Sequence, residues 1–281
     1  MTLPATRLPR APLVHVLAQV VFPAPPAWMD ALPQLQRELY ALGYLRMHEH
    51  TVVEVSVDLG DGSTPPVQKQ RLLMRYEFAD RDQRTAFVLT ASSFVMHTTD
   101  YQTFDRFLAE FVRGLDVLHA ATGVPVVDRI GLRYVDLIQL QASESFGFYV
   151  HPGLLGYPFR ANAGLGGTKV GFATGSVAET PLGALAVRST VVPPGQFAPP
   201  DLELGNLQPP TWVELDKPGL ALDFDHFTLF GAPHTAAKMD FDAGRIAAHL
   251  TGLHTNVRAA FEGIVTEDAV AYWGGWQAVT P

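Results

Sequence analysis

The sequence predicts an α+β fold of two pseudo-duplicated halves, each an antiparallel sheet packed by a long amphipathic helix. Two observations predict it. Short stretches of alternating apolar residues follow one another through brief turns, which is typical of a meander of antiparallel strands. Two longer stretches, one in each half of the chain, carry apolar residues three or four positions apart, the spacing of a helix that packs on a sheet.

The first half begins with a strand and continues through a meander. Ranges rich in Val, Leu, Phe and Thr, separated by Gly, Pro or charged turns, predict strands at 13–22, 51–58, 70–78, 85–90 and 92–98. A first helix is predicted from Trp28 to the stop at Gly43. The second helix runs from Phe104 to the stop at Gly123 and has the clearest pattern, an aromatic and leucine row at helical spacing.

The second half is predicted to start at a glycine-rich stretch, residues 147–167. The chain is therefore divided into a first half at 1–146 and a second half at 147–281, packed together as one compact unit. A hairpin is expected from 168–177 and 182–192, then an irregular proline-rich excursion, a strand at 219–230 and a helix at 241–261. A single sheet shared by both halves is the alternative architecture.

Composition limits the classes of function. Acidic residues outnumber basic ones, 28 to 20, which gives a formal charge of -8 and makes nucleic acid an unfavoured partner. The chain has no cysteine, which excludes disulfides, thiolate metal sites and cysteine nucleophiles. No apolar run is long enough for a membrane span, and the first ten residues lack a signal-peptide pattern, so a soluble cytoplasmic protein is expected.

The central candidate site is the predicted strand 129–140, RIGLRYVDLIQL. Alternation directs Arg129 and Arg133 to one face, about 13 Å apart along the strand, and Tyr134 and Asp136 to the other face. Guanidinium groups match carboxylates and phosphates, so the two arginines could hold an acidic ligand. Half-buried arginines in sheets commonly pair with internal acids instead, for which the candidates are Glu77, Asp100 and Asp128. The predicted ligand-binding residues are Arg129, Arg133, Tyr134 and Asp136.

A second candidate site lies on the predicted strand at 219–230. Asp223 and Asp225 alternate there, which places two carboxylates on one face about 6.6 Å apart. Such a pair could bind a divalent cation or serve in acid/base chemistry, although an acidic solvent-facing strand has the same pattern. No third ligand lies at a diagnostic spacing, and the ten histidines match no zinc motif. No cofactor and no catalytic residue are predicted.

Four stretches together resemble a known family. They are Ala11-Pro-Leu-Val-His-Val16, Tyr101-Gln-Thr-Phe104, Asp128-Arg-Ile-Gly-Leu-Arg-Tyr-Val-Asp136 and Phe261-Glu-Gly-Ile-Val-Thr266. The chain resembles sporadically distributed bacterial proteins of unknown function that share an Arg-x-Gly-Leu-Arg-Tyr-x-Asn core, and the resemblance spans nearly the whole chain. Where the family usually has Asn, this chain has Asp136. The resemblance implies one folded unit and, by analogy, an accessory gene of a defence or conflict locus.

These observations leave three hypotheses of function. The first is a binding or interaction protein whose contact region surrounds Arg129, Arg133 and Tyr134, with a protein or a small acidic ligand as partner. The second is a metal-dependent hydrolase or nuclease that uses Asp223 and Asp225. The third is an RNA-binding protein built from paired ferredoxin-like units, which the acidic balance disfavours.

Overall fold

The structure is a computed structural model, and it describes residues 6–26, 28–58, 67–141, 144–156, 171–231 and 237–278. Its main feature is one antiparallel sheet of nine strands. In chain order these are β1 Leu13–Val21, β2 Arg46–Asp58, β3 Val67–Ala79, β4 Thr85–Leu89, β5 Ser93–Thr98, β6 Arg129–Ile138, β7 Ala173–Thr180, β8 Gly183–Val192 and β9 Gly219–Leu229.

Five α-helices accompany the sheet in the described residues. They are α1 Leu32–Ala41, which follows a 3-10 turn at Trp28–Ala31, α2 Phe104–Thr122, α3 Phe146–Tyr149, α4 Ala243–Ile264 and α5 Glu267–Tyr272. The hydroxyl of Thr103 accepts from the backbone N–H of Arg106 and caps the start of α2. Gly123 ends α2 in the left-handed conformation, with φ 62°, as the sequence predicts for a helix stop.

The strand order across the sheet is β2-β3-β4-β5-β1-β6-β9-β8-β7. Strand β1 pairs with β5 on one side and with β6 on the other, and β6 also pairs with β9. The predicted α+β class is confirmed, with a large antiparallel sheet. The expectation of one sheet in each half is corrected, because the pairing of β1 with β6 joins all nine strands into a single sheet.

The three longer helices cover one face of the sheet, here called the helix face. Apolar side chains of α1, α2 and α4 share one buried cluster with alternate residues of the central strands, including Val16 of β1, Leu132 of β6 and Leu222 of β9. The amphipathic rows predicted for the helices therefore face the sheet. Burial of this apolar surface is the main stabilising contribution to the fold.

The opposite face of the sheet is here called the polar face, and it carries Arg129, Arg133, Asp223 and Asp225. Residues 193–218, the covering segment, cross this face without regular secondary structure. Phe197 of the segment packs with Val135 and Leu137 of β6. The proline-rich excursion of the sequence is therefore the second layer on this side of the sheet.

Backbone contacts hold the covering segment further along the polar face. The backbone N–H of Asn206 donates to the buried carboxylate of Glu77, 3.1 Å from Oε1. A Cβ on Gly205, whose φ is +59°, would lie 1.9 Å from that carboxylate, so only glycine fits there. The Thr99 hydroxyl also donates to the carbonyl of Gln208, at 2.7 Å. The segment is thus fixed to β3 and to the end of β5.

None of the helices in the described part of the chain combines the length and the apolar character that crossing a membrane requires.

Candidate functional site

The candidate site starts from the central strand β6. It is extended from Arg129 to Ile138, as predicted, and lies between β1 and β9. Arg133 is opposite Leu17 of β1 and Asp225 of β9, and Arg129 lies four residues away on the same face. Both guanidinium groups therefore emerge on the polar face, where the covering segment and the side chains of β8 and β9 meet them.

Arg133 is held by Asp223. Its Nε donates to Oδ1 of Asp223 at 2.7 Å and its Nη2 donates to Oδ2 at 2.9 Å, a bidentate pair. Both partners are buried, with 9% of Arg133 and 2% of Asp223 exposed. A buried pair of this geometry satisfies the two charges mutually, and the removal of either partner would leave the other charge uncompensated.

A second arginine and a second aspartate extend this pair. Nη1 of Arg188, on β8, donates to Oδ2 of Asp223 at 2.9 Å. Nη2 of Arg133 also donates to Oδ2 of Asp201 in the covering segment, at 2.9 Å, and Nη1 of Arg188 lies 3.7 Å from the same oxygen. Unlike Asp223, the side chain of Asp201 is 58% exposed. Two guanidinium groups therefore converge on a carboxylate that solvent can reach.

Arg129 makes a separate set of contacts. It donates to Oε1 of Gln19 and lies 3.6 Å from Oδ1 of Asp225, and its guanidinium carbon is 4.6 Å from the ring centre of Phe227. A Cβ on Gly131 would come within 2.9 Å of Nη1 of Arg129. The glycine between the two arginines therefore provides the space over which Arg129 lies.

These contacts form one neutral arginine–aspartate network with three charges of each sign, made of Arg129, Arg133, Arg188, Asp201, Asp223 and Asp225. Although burial opposes its charge, the hydrogen bonds and charges of Asp223 and Asp201 raise the pKa of Arg133. Burial lowers the pKa of Arg129, against the favourable charge of Asp225. Burial also raises the pKa of Asp225, against the charges of Arg129 and Arg133.

The sequence and the fold of the chain were compared with those of known proteins. No family model, curated protein or solved structure matches this chain. The chemistry of the site therefore has to be inferred from its own residues.

The other two predicted ligand-binding residues lie on the helix face. Tyr134 is 7% exposed and Asp136 is 4% exposed, and both are packed between the sheet and the helices. The predicted contact region around Arg129, Arg133 and Tyr134 is therefore corrected, because successive strand residues point to opposite sides and Tyr134 does not reach the polar face. The four predicted residues form two separate sites on the two faces of β6.

Tyr134 is the centre of a hydrogen-bonded group between β6, α2 and α4. Its hydroxyl lies 3.0 Å from Nδ1 of His254 and 3.3 Å from the hydroxyl of Tyr101. The ring of His254 stacks on Phe104 with the centroids 4.0 Å apart. Burial, with a smaller effect of the Arg258 charge, lowers the pKa of His254 to about 4. The imidazole is therefore neutral at pH 7 and serves as a structural link between the helices.

Asp136 differs from every acid of the polar face. Burial raises its pKa to about 7, and no charged or hydrogen-bonding group among the described residues offsets that effect. A carboxyl with this pKa is about half protonated at neutral pH. The protonated form has no charge, as an asparagine has none.

The carboxylates predicted as a weak metal site belong to the arginine–aspartate network. Asp223 contacts Arg133 and Arg188, and the carboxylate of Asp225 lies 3.6 Å from Arg129 and 3.9 Å from Arg188. Within the described ranges no group of three or more His, Asp or Glu side chains is placed to hold a metal ion. A cation would meet three guanidinium groups at this position.

The sequence reasoning missed Arg188, Asp201 and His254. Arg188 and Asp223 become neighbours only through the pairing of β8 with β9, and Asp201 reaches the site from an irregular segment. The available signal was the complementary charge of two arginines on one face of β6 and two aspartates on one face of β9. That complementarity would have favoured Asp223 and Asp225 as the internal partners of Arg129 and Arg133 over Glu77, Asp100 and Asp128.

Proposed function

We propose that the protein is a binding protein that recognises a carboxylate or phosphate group at the exposed rim of the arginine–aspartate network. Arg133 and Arg188 are the proposed contacts. The observation that carries the proposal is the position of Asp201, whose half-exposed carboxylate bridges these two guanidinium groups from the covering segment. An external acidic group of similar size would find the same donors if Asp201 moved aside.

The network is suited to such an exchange because its acids are held to different degrees. Asp223 is buried and bonded by both arginines, so it holds them in place. Asp201 belongs to an irregular segment and has the most exposed carboxylate of the three aspartates. Without Asp201 the remaining three arginines exceed the two aspartates by one charge. Guanidinium groups are good donors to carboxylate and phosphate oxygens, which defines the class of ligand.

The two other hypotheses receive less support from the geometry. The metal-dependent hydrolase or nuclease would need Asp223 and Asp225 to release their arginines before a cation could bind. The RNA-binding protein would need a basic surface, whereas the chain carries a net charge of -8 and the covering segment crosses the polar face. A ligand with one or two acidic groups fits the site better than either alternative.

We also infer that the two halves are pseudo-duplicates, as expected from the sequence. The support is topological. Strands β1 and β6 are neighbours at the centre of the sheet, and each is followed by a meander that starts at an outer edge and returns to pair beside it. A long helix, α2 or α4, then follows each meander. Membership of the family with the Arg-x-Gly-Leu-Arg-Tyr-x-Asn core is likewise a proposal, based on the motif.

The test of ligand binding compares two substitutions in the covering segment. Asp201→Asn removes the charge that competes for Arg133 and Arg188, whereas Asp216→Asn removes the same charge from an exposed position near Lys217. Calorimetric titration with inorganic phosphate and with a short glutamate-rich peptide is expected to show about tenfold tighter binding to Asp201→Asn, equivalent to roughly 1.4 kcal/mol. Asp216→Asn should bind like the unchanged protein.

A third variant tests whether the tighter binding to Asp201→Asn depends on the proposed donors. Adding Arg188→Ala to Asp201→Asn should return phosphate and peptide binding to the original level, because one of the two guanidinium groups is lost. Equal affinities for Asp201→Asn and Asp216→Asn, or a gain that persists without Arg188, would contradict the proposed site.

A further inference from the structure

The two edges of the nine-stranded sheet differ in composition. The β2 edge carries four charged residues, Arg46, Glu49, Glu54 and Asp58, together with two histidines. The β7 edge reads Ala-Thr-Gly-Ser-Val-Ala-Glu-Thr, in which Glu179 is the one charged residue. Exposed edge strands commonly carry charges, proline or a bulge that prevents pairing with another chain. β2 has such charges along its length, whereas β7 is nearly neutral.

Strand β7 is also largely exposed to solvent. Ala173 and residues 175–179 are exposed, and 71% of Val177 is accessible to solvent. Within the described residues β8 is the one strand that pairs with β7, so the other side of β7 presents free backbone groups. A neutral and regular edge of eight residues is a surface to which another strand can add through main-chain hydrogen bonds.

The backbone geometry identifies which residues offer those hydrogen bonds. Thr180 pairs with Gly183 across the two-residue turn Pro181–Leu182, so Thr180 exchanges its hydrogen bonds with β8. Because hydrogen-bonded and non-hydrogen-bonded pairs alternate along antiparallel strands, Ala178, Ser176 and Thr174 also direct their backbone groups towards β8. The backbone N–H and C=O groups of Ala173, Gly175, Val177 and Glu179 therefore point outward at the open edge.

We propose that β7 pairs antiparallel with β7 of a second copy of this chain, about a two-fold axis at Ser176, which makes one continuous sheet through the dimer. In this register Gly175 faces Val177 of the other copy, and Ala173 faces Glu179. All four outward-pointing residues then form hydrogen-bonded pairs.

A second copy fits this edge because β7 is complementary to itself. An isologous interface places the same strand on both sides of the axis, so a charge near the axis would face its own copy. Glu179 lies three residues from Ser176 and is opposite Ala173, so the two carboxylates are kept apart. Val177 lies over a glycine of the other copy, which leaves room for its side chain. In β2, by contrast, Glu49 and Glu54 flank the middle residue Val52 on both sides.

The absence of cysteine allows a direct test by disulfide trapping. Ser176→Cys places two thiols opposite each other at a non-hydrogen-bonded pair, where the Cα atoms are about 4.5 Å apart, within the range of disulfides. Leu72→Cys is the matched control, because Leu72 is 69% exposed and lies on β3, which pairs with a strand on each side and is not an edge strand. Under mild oxidation Ser176→Cys is expected to form a covalent dimer much faster than Leu72→Cys.

A second variant breaks the pairing without removing bonds inside the protein. Val177→Pro lacks an N–H that points outward, so the ladder with β8 keeps its hydrogen bonds while the dimer loses two bonds across the axis, one from each copy. Sedimentation is expected to show a dimer for the unchanged protein and a monomer for Val177→Pro, with similar circular dichroism spectra. A monomeric unchanged protein at high micromolar concentration, or equal oxidation rates for Ser176→Cys and Leu72→Cys, would overturn the proposal.

Discussion

The two faces of strand β6 bury polar groups in opposite ways. On the polar face, Arg133 keeps its charge because Asp223 meets it with two short hydrogen bonds. On the helix face, three positions further along, Asp136 has no such partner among the described residues, and burial raises its pKa to about 7. One strand therefore shows both solutions to the cost of a buried charge, which are pairing and neutralisation by a proton.

This difference predicts how substitutions on each face should change the stability of the protein. On the polar face the two charges depend on each other, so the loss of one partner is costly and the loss of both is tolerated. On the helix face the charge itself is the cost, so its removal should stabilise the protein. The predictions below test this contrast from the largest expected effect to the smallest.

Removal of Asp223 should have the largest effect. Asp223→Leu leaves the buried guanidinium of Arg133 with Asp201 as its remaining acid and should lower the free energy of unfolding by about 3–5 kcal/mol. Urea unfolding followed by circular dichroism measures this change in the free energy of unfolding. The double variant Arg133→Met with Asp223→Leu should recover most of the loss, because neither charge of the buried pair remains. If the double variant is as unstable as Asp223→Leu, the cost lies in packing rather than in the unpaired charge.

Replacement of Asp136 should act in the opposite direction and depend on pH. The folded protein holds the proton of Asp136 more tightly than the unfolded chain, in which the pKa is near the ordinary value of 3.8. The free energy of unfolding should therefore fall as the pH rises from about 4 to about 7, with no further change from this group above that. Asp136→Asn should stabilise the protein at pH 8 by roughly 2–4 kcal/mol, since each pKa unit is equivalent to about 1.4 kcal/mol.

Urea unfolding at pH 4, 6 and 8 checks this prediction. The variant and the unchanged protein should differ least at pH 4, where the carboxyl is protonated in the folded protein and close to its pKa of 3.8 in the unfolded chain. Asp216→Asn, an exposed replacement of the same kind, is the control and should leave the pH dependence unchanged. An Asp136→Asn variant with the pH dependence of the unchanged protein would show that Asp136 is not the titrating group.

Removal of the Tyr134 hydroxyl should have the smallest effect. Tyr134→Phe loses the hydrogen bonds to His254 and Tyr101 and should lower the free energy of unfolding by about 1–2 kcal/mol. Tyr101→Phe, which loses the bond to Tyr134 alone, should cost less. Thermal unfolding of the two variants gives the comparison. A larger loss for Tyr101→Phe would mean that Tyr134 is not the centre of the group.

Much of the fold was predictable because its signals are local. The alternation of β6, the aromatic row of α2 and the glycine stop at Gly123 each specify a segment through neighbouring residues. The observed helix α4, 243–264, is close to the predicted range 241–261 for the same reason. The position of Arg129 and Arg133 on the same face of β6 was also predicted from alternation alone.

The candidate site was less predictable because it depends on contacts between distant segments. Asp223 and Asp225 were recognised as a co-facial pair, but the register that brings β9 beside β6 is set by the whole sheet. Asp201 lies in a segment without periodicity, so nothing local places its carboxylate near Arg133. The burial that raises the pKa of Asp136 likewise depends on the assembled sheet, in which β6 lies between β1 and β9.

The junction between β1 and β6 has a consequence for how the protein assembles. It joins residues far apart in the chain, such as Val16 and Tyr134, whereas β2 to β5 and β7 to β9 each follow one another in sequence. Closing a long loop costs more entropy than closing a short one. The strands β2 to β5 and the strands β7 to β9 can therefore each pair before β1 pairs with β6. Arg133 lies on β6 and its partners Asp201 and Asp223 come from residues that follow β6, so its ionic contacts can form before β6 pairs with β1.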